Sequence, residues 1–338
     1  MTSPVLARVR RSGFVESEHR GIVVGVDAAG RRRLAVGDVD SPIFPRSTNK
    51  PLQSVAMLRA GLPLDGHLLA LATASHSGEA YHLAGVRQIL ADAGLTVDAL
   101  RNAPALPDRP DDAHAWRCAG HGPEALAHGC SGKHAAMLAT CALNGWPLES
   151  YLDPHHPLQV GVAEAVAELA GEPPAATGVD GCGAPVLAIS PAGLARAYAR
   201  IATAAPDTPA GRVATAMRTY PQWVGGTDRG ITAVHRAVPG LIAKDAAEAV
   251  AAAALPDGRA VAVKIADGGE RAVLPVLVAA LRALGLDDAE TDGSALATLS
   301  TAPVLGRGEP VGLLEIDLDA APAPVSPGPR RRGSDRAR

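Results

Sequence analysis

Ser47 and Lys50 stand three residues apart in Phe44-Pro-Arg-Ser-Thr-Asn-Lys-Pro-Leu-Gln53. Residues at that spacing share a helix face, so the hydroxyl and the amine can meet. A serine hydroxyl is a weak nucleophile until a neighbouring base takes its proton. Lysine can be that base if its surroundings lower its pKa; arginine cannot. Only four of the 32 basic residues are lysines: Lys50, Lys133, Lys244 and Lys264. That skew makes each lysine a candidate for work that arginine cannot do. Ser75 and Ser77 lie in Ala74-Ser-His-Ser-Gly-Glu79, and Lys244 closes the apolar run Leu241-Ile-Ala. Ser75 with Lys244 would supply a second base or donor. Cys130-Ser-Gly-Lys-His134 and Asp180-Gly-Cys182 add two thiols near an amine and an imidazole. Such a set can hold a metal, but without a Cys-x-x-Cys pair, buried or redox thiols rank ahead of a metal site.

These residues need elements to hold them. Polar residues followed by Leu52, Val55, Ala56 and Leu58 predict a helix that opens at Ser47. Gly21–Asp27 and Arg33–Asp38 predict an antiparallel hairpin. Leu68–Thr73 reads as a buried strand that delivers Ser75 to an edge. Helical pattern covers Tyr81–Ala93, His134–Leu143, Leu158–Ala170, Pro191–Ala204, Ala210–Thr219 and Leu274–Leu284. Residues 102–129 read as loop, and Thr177–Pro185 as a Gly-rich turn. Strands are expected at Gly240–Lys244, Ala247–Leu255, Arg259–Ile265 and Val311–Asp317. Strands at both ends and helices between predict an α+β fold. Its antiparallel sheet comes from about 13–45 and 225–318, with a helical region over 46–224 inserted and the site in the cleft between them. Residues 1–320 then form a single domain, and 321–338 a disordered Pro/Arg-rich tail.

Composition removes several classes. Apolar residues make up 47 % and charged residues 20 %, which is globular and not disordered. Net charge is -3, and no basic block falls within the folded part, which argues against nucleic acid. The N-terminal stretch has no apolar signal core and no run reaches about 18 apolar residues. A cytoplasmic protein without membrane contact is therefore expected, and its cysteines (Cys118, Cys130, Cys141, Cys182) as thiols.

The Ser-x-x-Lys tetrad also marks penicillin-binding proteins and β-lactamases. Together the motifs resemble the serine-dependent, zinc-containing Rhizobium-type L-asparaginase family, whose fold is similar to that of those two groups. The matching pieces are Arg46–Gln53, Ala74–Glu79, Cys130–His134, Asp180–Cys182, Gly240–Lys244 and Lys264–Gly268, in the family's order. The resemblance implies hydrolysis of L-asparagine to L-aspartate and ammonia through an acyl-enzyme. It implies two Ser-Lys tandems, Ser47 with Lys50 and Ser75 with Lys244, with Ser47 favoured as the attacking group. It implies zinc on Cys130, Lys133 and Cys182, an ammonium-binding Asp180, and a pocket lined by Arg46 and His134. The substrate is then a small molecule, with room for a homodimer. Lys264 is given no role. A glutaminase-like amidohydrolase and a non-catalytic amino-acid-binding relative are the rival readings. The run Asp245-Ala-Ala-Glu-Ala249 departs from the family, which often has glycines there.

Overall fold

The computed structural model describes residues 3–318. The Pro/Arg-rich tail expected at 321–338 lies outside the described residues. Ten strands and twelve α-helices occur among the described residues. The strands are β1 (Val5–Arg11), β2 (Phe14–Val26), β3 (Arg32–Val36), β4 (Ala176–Val179), β5 (Pro185–Ala188), β6 (Ile242–Ala246), β7 (Val250–Ala254), β8 (Ala260–Ile265), β9 (Pro303–Gly306) and β10 (Glu309–Ile316). Ahead of the central helices, α1 (Lys50–Arg59) follows a 3-10 turn at Arg46–Asn49. Then come α2 (Gly66–Ala72), α3 (Ala80–Asp92), α4 (Pro110–Cys118), α5 (Ser131–Asn144) and α6 (Pro157–Ala170). The remainder are α7 (Pro191–Thr203), α8 (Pro209–Thr219), α9 (Pro221–Val224), α10 (Gly230–Ala237), α11 (Val273–Ala283) and α12 (Gly293–Leu299).

The main sheet has the order β6-β7-β8-β2-β1-β10-β9, with β3 also paired to β2. Every pairing in it is antiparallel, and strands from both ends of the chain meet where β1 pairs with β10 and β2 with β8. The α+β expectation is met by this arrangement. The sheet starts earlier than the sequence suggested, at Val5. Alternating arginines in Val5–Arg11 mask the inward Leu6, Ala7 and Val9.

The sheet separates two cores. Val250, Ala252 and Ala254 of β7 face the helical region, while Ala249, Ala251 and Ala253 face α10, α11 and α12. This is the period-two alternation of a strand buried on both faces. Small residues there let helices pack close on both sides. Local chemistry sets the helix ends. Ser190 and Thr208 accept from Gly193 N and Gly211 N as N-caps, each before a proline, and Gly145 and Gly171 close α5 and α6 in the left-handed conformation.

Further expectations change, and the stretch read as a turn at Thr177–Pro185 holds most of β4, paired antiparallel with β5 in a hairpin. Leu68–Thr73 belongs to α2, capped by Asp65, and is not a strand. A fully buried apolar run carries no period to separate the two, and leucine and alanine favour helix over strand. The 102–129 loop contains α4, which has no buried residue and so no apolar face to reveal it. Within the region read as strands, α10 precedes β6.

Candidate active site

The Ser-x-x-Lys tetrad spans a junction of two helix types. Arg46, Ser47, Thr48 and Asn49 form the 3-10 turn, and Lys50 begins α1 with Pro51 behind it. Arg46 holds the left-handed conformation at φ 51°, an uncommon setting for a side chain of this size. Its Nε donates to Asp180 Oδ1 at 2.7 Å, which ties the turn to the β4–β5 hairpin, and Gly181 N donates to the same oxygen.

Lys50 is buried. Its Nζ reaches the turn after α2, donating to Ala74 O and to Ser75 Oγ at 3.0 Å, and also to Cys130 Sγ at 3.1 Å. The structure therefore places Lys50 against Ser75, and among the described residues no hydrogen bond joins the Lys50 amine to the Ser47 hydroxyl. A buried amine goes where several acceptors converge, and these lie across the helix start from Ser47. Ser47 Oγ makes no hydrogen bond among the described residues. Ser47 and Ser75 both line one cleft of about 470 Å³. Ser75 N is committed to Val224 O.

The expected Ser75–Lys244 pair is not formed either. Lys244 is fully buried, and its Nζ donates to Asp245 O at 2.6 Å and Asp245 Oδ1 at 2.8 Å. Burial lowers Lys244 to about 8, partly opposed by Asp245 and reinforced by Lys50.

Beside Lys50 stand Cys130, Lys133 and Cys182, all buried. Lys133 Nζ donates to Cys182 Sγ at 3.1 Å. A hydrogen bond from Cys182 holds Cys130 well below the usual thiol range against the effect of burial, with Lys50 assisting. The same bond and burial push Cys182 up. For Lys133, burial is outweighed by the Cys182 and Cys130 charges, which raise it. Two soft sulfurs and an amine in mutual contact suit zinc by donor type. Among the described residues no group of three His, Cys, Asp or Glu is arranged for a metal, so the set is complete only with Lys133. To ligate, Lys133 has to release its proton.

His134 does not line the cleft. It is fully buried behind Lys133, with Nδ1 on the Tyr151 hydroxyl at 2.8 Å. Burial and the Lys133 charge hold it well below its ordinary value. Lys264 ties β8 to the segment after β6 through Glu248 O. Cys118, Cys130, Cys141 and Cys182 are all free thiols, and Cys118 is exposed.

Several residues with no assigned part in the sequence reading shape the cleft. Asp108, Arg229, Asp245 and Glu270 line it with the apolar Leu106, Ile231, Val273 and Leu274. Glu79 accepts from Ser77 Oγ, Thr227 N, Thr227 Oγ1 and Arg109. Burial would raise this carboxyl, but the Thr227 and Ser77 hydrogen bonds prevail and lower it to about 2. Gly226 permits the approach: it sits at φ 146°, and a Cβ there would come within 2.2 Å of Ser77 Oγ. A buried acid flanked by a Gly-Gly pair far away in sequence gave no local signal. The departure at Asp245–Ala249 has a physical consequence. Glu248 and Ala249 both take left-handed backbone, at φ 60° and 51°, where glycine would be unstrained.

The L-asparaginase II family model matches residues 7–316. The chain belongs to the L-asparaginase II family. No curated protein matches it. Among solved structures it is similar to simvastatin synthase (LOVD) from Aspergillus terreus, at 12 % identity and a TM-score of 0.41, covering 82 % of this chain and 92 % of that one. It is also similar to Mglu, at 15 % identity and a TM-score of 0.34, covering 83 % of this chain and 60 % of that one. Membership makes it an asparaginase-type protein with a small-molecule substrate. No helix among the described residues is long and apolar enough to cross a membrane.

Proposed function

We propose that this family member is an L-asparaginase that hydrolyses the side-chain amide of L-asparagine through a serine ester. The observation that carries the reading is Lys50 Nζ at 3.0 Å from Ser75 Oγ in a cleft that Ser47 shares. Ser47 is the attacking hydroxyl. It lies without a hydrogen-bond partner at the start of the helical stretch, where the helix dipole favours a developing oxyanion. Its proton passes to Ser75 Oγ as the Ser75 proton passes to Lys50 Nζ. Protonated Lys50 then returns a proton to the leaving ammonia, and water resolves the ester.

Arg46 and Asp180, already ion-paired, present opposite charges to the carboxylate and ammonium of an amino acid, with Asp180 taking the ammonium. His134 acts from outside the cleft, by its hydrogen bond with the Tyr151 hydroxyl. Cys130, Lys133 and Cys182 would hold zinc, which supplies a fixed positive charge that orients substrate.

Ammonia release from asparagine, glutamine and a buffer blank tests the activity. Asparagine should be turned over and glutamine much less, since a carbonyl displaced by one methylene is misplaced for attack. Equal rates would support a glutaminase-like enzyme, and binding without ammonia a non-catalytic relative. Mass spectrometry of the trapped acyl-enzyme should locate the ester on Ser47; an ester on Ser75 would reverse the two hydroxyl roles.

A further inference from the structure

Lys244 is implied by the family resemblance as the partner of a serine, yet both of its hydrogen bonds go to Asp245. The other oxygen of that carboxylate, Asp245 Oδ2, accepts from Arg229 Nη2 at 2.9 Å. Arg229 Nη1 continues to Asp108 Oδ2 across the cleft. Lys244, Asp245, Arg229 and Asp108 thus form a chain of alternating charge, and the last three line the cleft beside Ser47 and Ser75. An ammonium with no water and no counter-charge is expensive to bury; a fixed carboxylate is what makes one tolerable.

The surroundings are otherwise hostile to a charged Lys244. Burial, Lys50 and Arg229 all favour the neutral amine, and Asp245 is the opposing charge. His235 of α10 is itself pushed down to about 4 by burial, so it adds no positive charge at neutral pH. Tyr198 of α7, which faces Asp245, is raised by burial and stays a neutral phenol. The Lys244 and Arg229 charges more than offset the burial of Asp245 and hold its carboxyl far below the usual range. Arg229 therefore secures the carboxylate, and the carboxylate secures the amine.

We propose that Asp245 is a positioning residue: fixed by Arg229, it holds the buried Lys244 amine as an ion-paired cation behind the cleft wall that Asp245 shares with Ser47 and Ser75. Lys244 then supplies a stationary positive charge to the developing oxyanion, and Lys50 alone takes the serine proton. The proposal rests on the amide-hydrolase reading of this cleft, and the readout below also works without turnover.

With four lysines in the chain, protein labelled with ¹³C-lysine gives a spectrum simple enough to assign. Lys244→Arg identifies the Lys244 signal. In the unsubstituted protein this signal should be in its charged form at pH 7 and titrate near pH 8. In Asp245→Asn the midpoint should fall by more than about one unit, because a nearby opposite charge shifts a pKa by roughly 1–3 units. Asp245→Glu should restore most of it. In the same variants, kcat for asparagine should drop at least about tenfold in Asp245→Asn, the scale of losing one electrostatic contact in a transition state. KM should change little, the alkaline limb should move to lower pH, and Asp245→Glu should recover activity. A neutral Lys244 at pH 7 in the unsubstituted protein would overturn the proposal even if Asp245→Asn failed to fold. An unmoved titration, or full kcat in a folded Asp245→Asn, would overturn it as well. Absence of ammonia from the unsubstituted enzyme would defeat the asparaginase reading, while the Lys244 titration would still judge the ion pair.

Discussion

At the scale of single residues, the site depends on groups that no close substitute replaces. Lys50 is buried among Ala74 O, Ser75 Oγ and Cys130 Sγ, three acceptors that converge on one amine. Lys50→Arg keeps the charge but cannot take a proton. It should lower kcat by about 10²–10⁴-fold, the usual loss of a general base, while circular dichroism and the urea midpoint confirm folding. Ser75→Ala should fall into the same range, and the double variant should be little worse than either, since the two groups work as one unit. Retention of more than about a tenth of kcat by Lys50→Arg would make the lysine a cation only. The metal proposal has its own measurement. Elemental analysis of protein purified without a metal-affinity step should find zinc, and Cys182→Ser should lose it. Full zinc content in that variant would remove Cys182 from the ligand set. Chelation should raise KM more than it lowers kcat if the metal orients substrate without activating water.

At the scale of elements, the cleft is closed on one side by the 102–129 segment, whose helix α4 buries nothing. Two Asp-Arg dipeptides hold it by crossing their charges. Arg229 pairs with Asp108, and Arg109 pairs with Asp228 at 3.2 Å and with Glu79 at 3.0 Å. The outer pairs are partly exposed, so each is weak and is screened by salt. Glu79 is the buried anchor. Limited proteolysis within residues 110–121 should therefore quicken as NaCl rises from about 0.05 to about 0.5 M, as the Debye length shrinks. An Asp108→Asn, Asp228→Asn double variant should be cut quickly at either salt. Equal resistance of both proteins at both salts would mean that something other than these charges holds the segment. The sequence could not reveal this latch, because both dipeptides are polar stretches in regions without period. Where a period existed, elements were legible: α3, α5 to α8, α11 and β10 fall within a few residues of their expected places. Ser75 was placed beside the site, but on the wrong kind of element. The spacing of Ser47 and Lys50 suggested a hydrogen bond between them, whereas the Lys50 amine donates to Ser75 Oγ. The direction of a buried lysine is set by acceptors from α2 and α5, which spacing within one helix cannot show.

At the scale of the whole molecule, neutral buried histidines tie elements together on each of the two faces of the sheet. His82 of α3 bonds Gln222 O within the helical region. His235 of α10 bonds the backbone of Ala243 in β6. Burial lowers both to about 4 from an ordinary value of 6.5. A group with a depressed folded-state pKa binds its proton more readily in the unfolded chain. Its contribution is therefore complete above pH 6.5 and is lost as pH falls toward 4. Glu79, at about 2 against 4.5, begins its loss only below 4.5. Acid destabilisation should thus start well above the carboxylate range. Between pH 6 and pH 5 the unfolding free energy should fall by at most about 1.4 kcal/mol per pH unit for each histidine that burial keeps neutral, and His76 and His134, which burial also holds well below the ordinary value, add to the slope of His82 and His235. Urea melts at half-unit pH steps, followed by far-ultraviolet circular dichroism for the helices and tryptophan fluorescence for the packing around Trp223, measure that slope. The two probes should move together, because each histidine joins elements of a shared structure and losing either side exposes its neutral imidazole to protonation. His235→Gln, which keeps a hydrogen-bonding side chain but cannot titrate, should remove about a quarter of the slope between pH 6 and pH 5, one of four buried imidazoles. A stability that stays flat down to pH 4.5 and then drops would assign acid unfolding to carboxylates such as Glu79 and would refute neutral burial of these imidazoles.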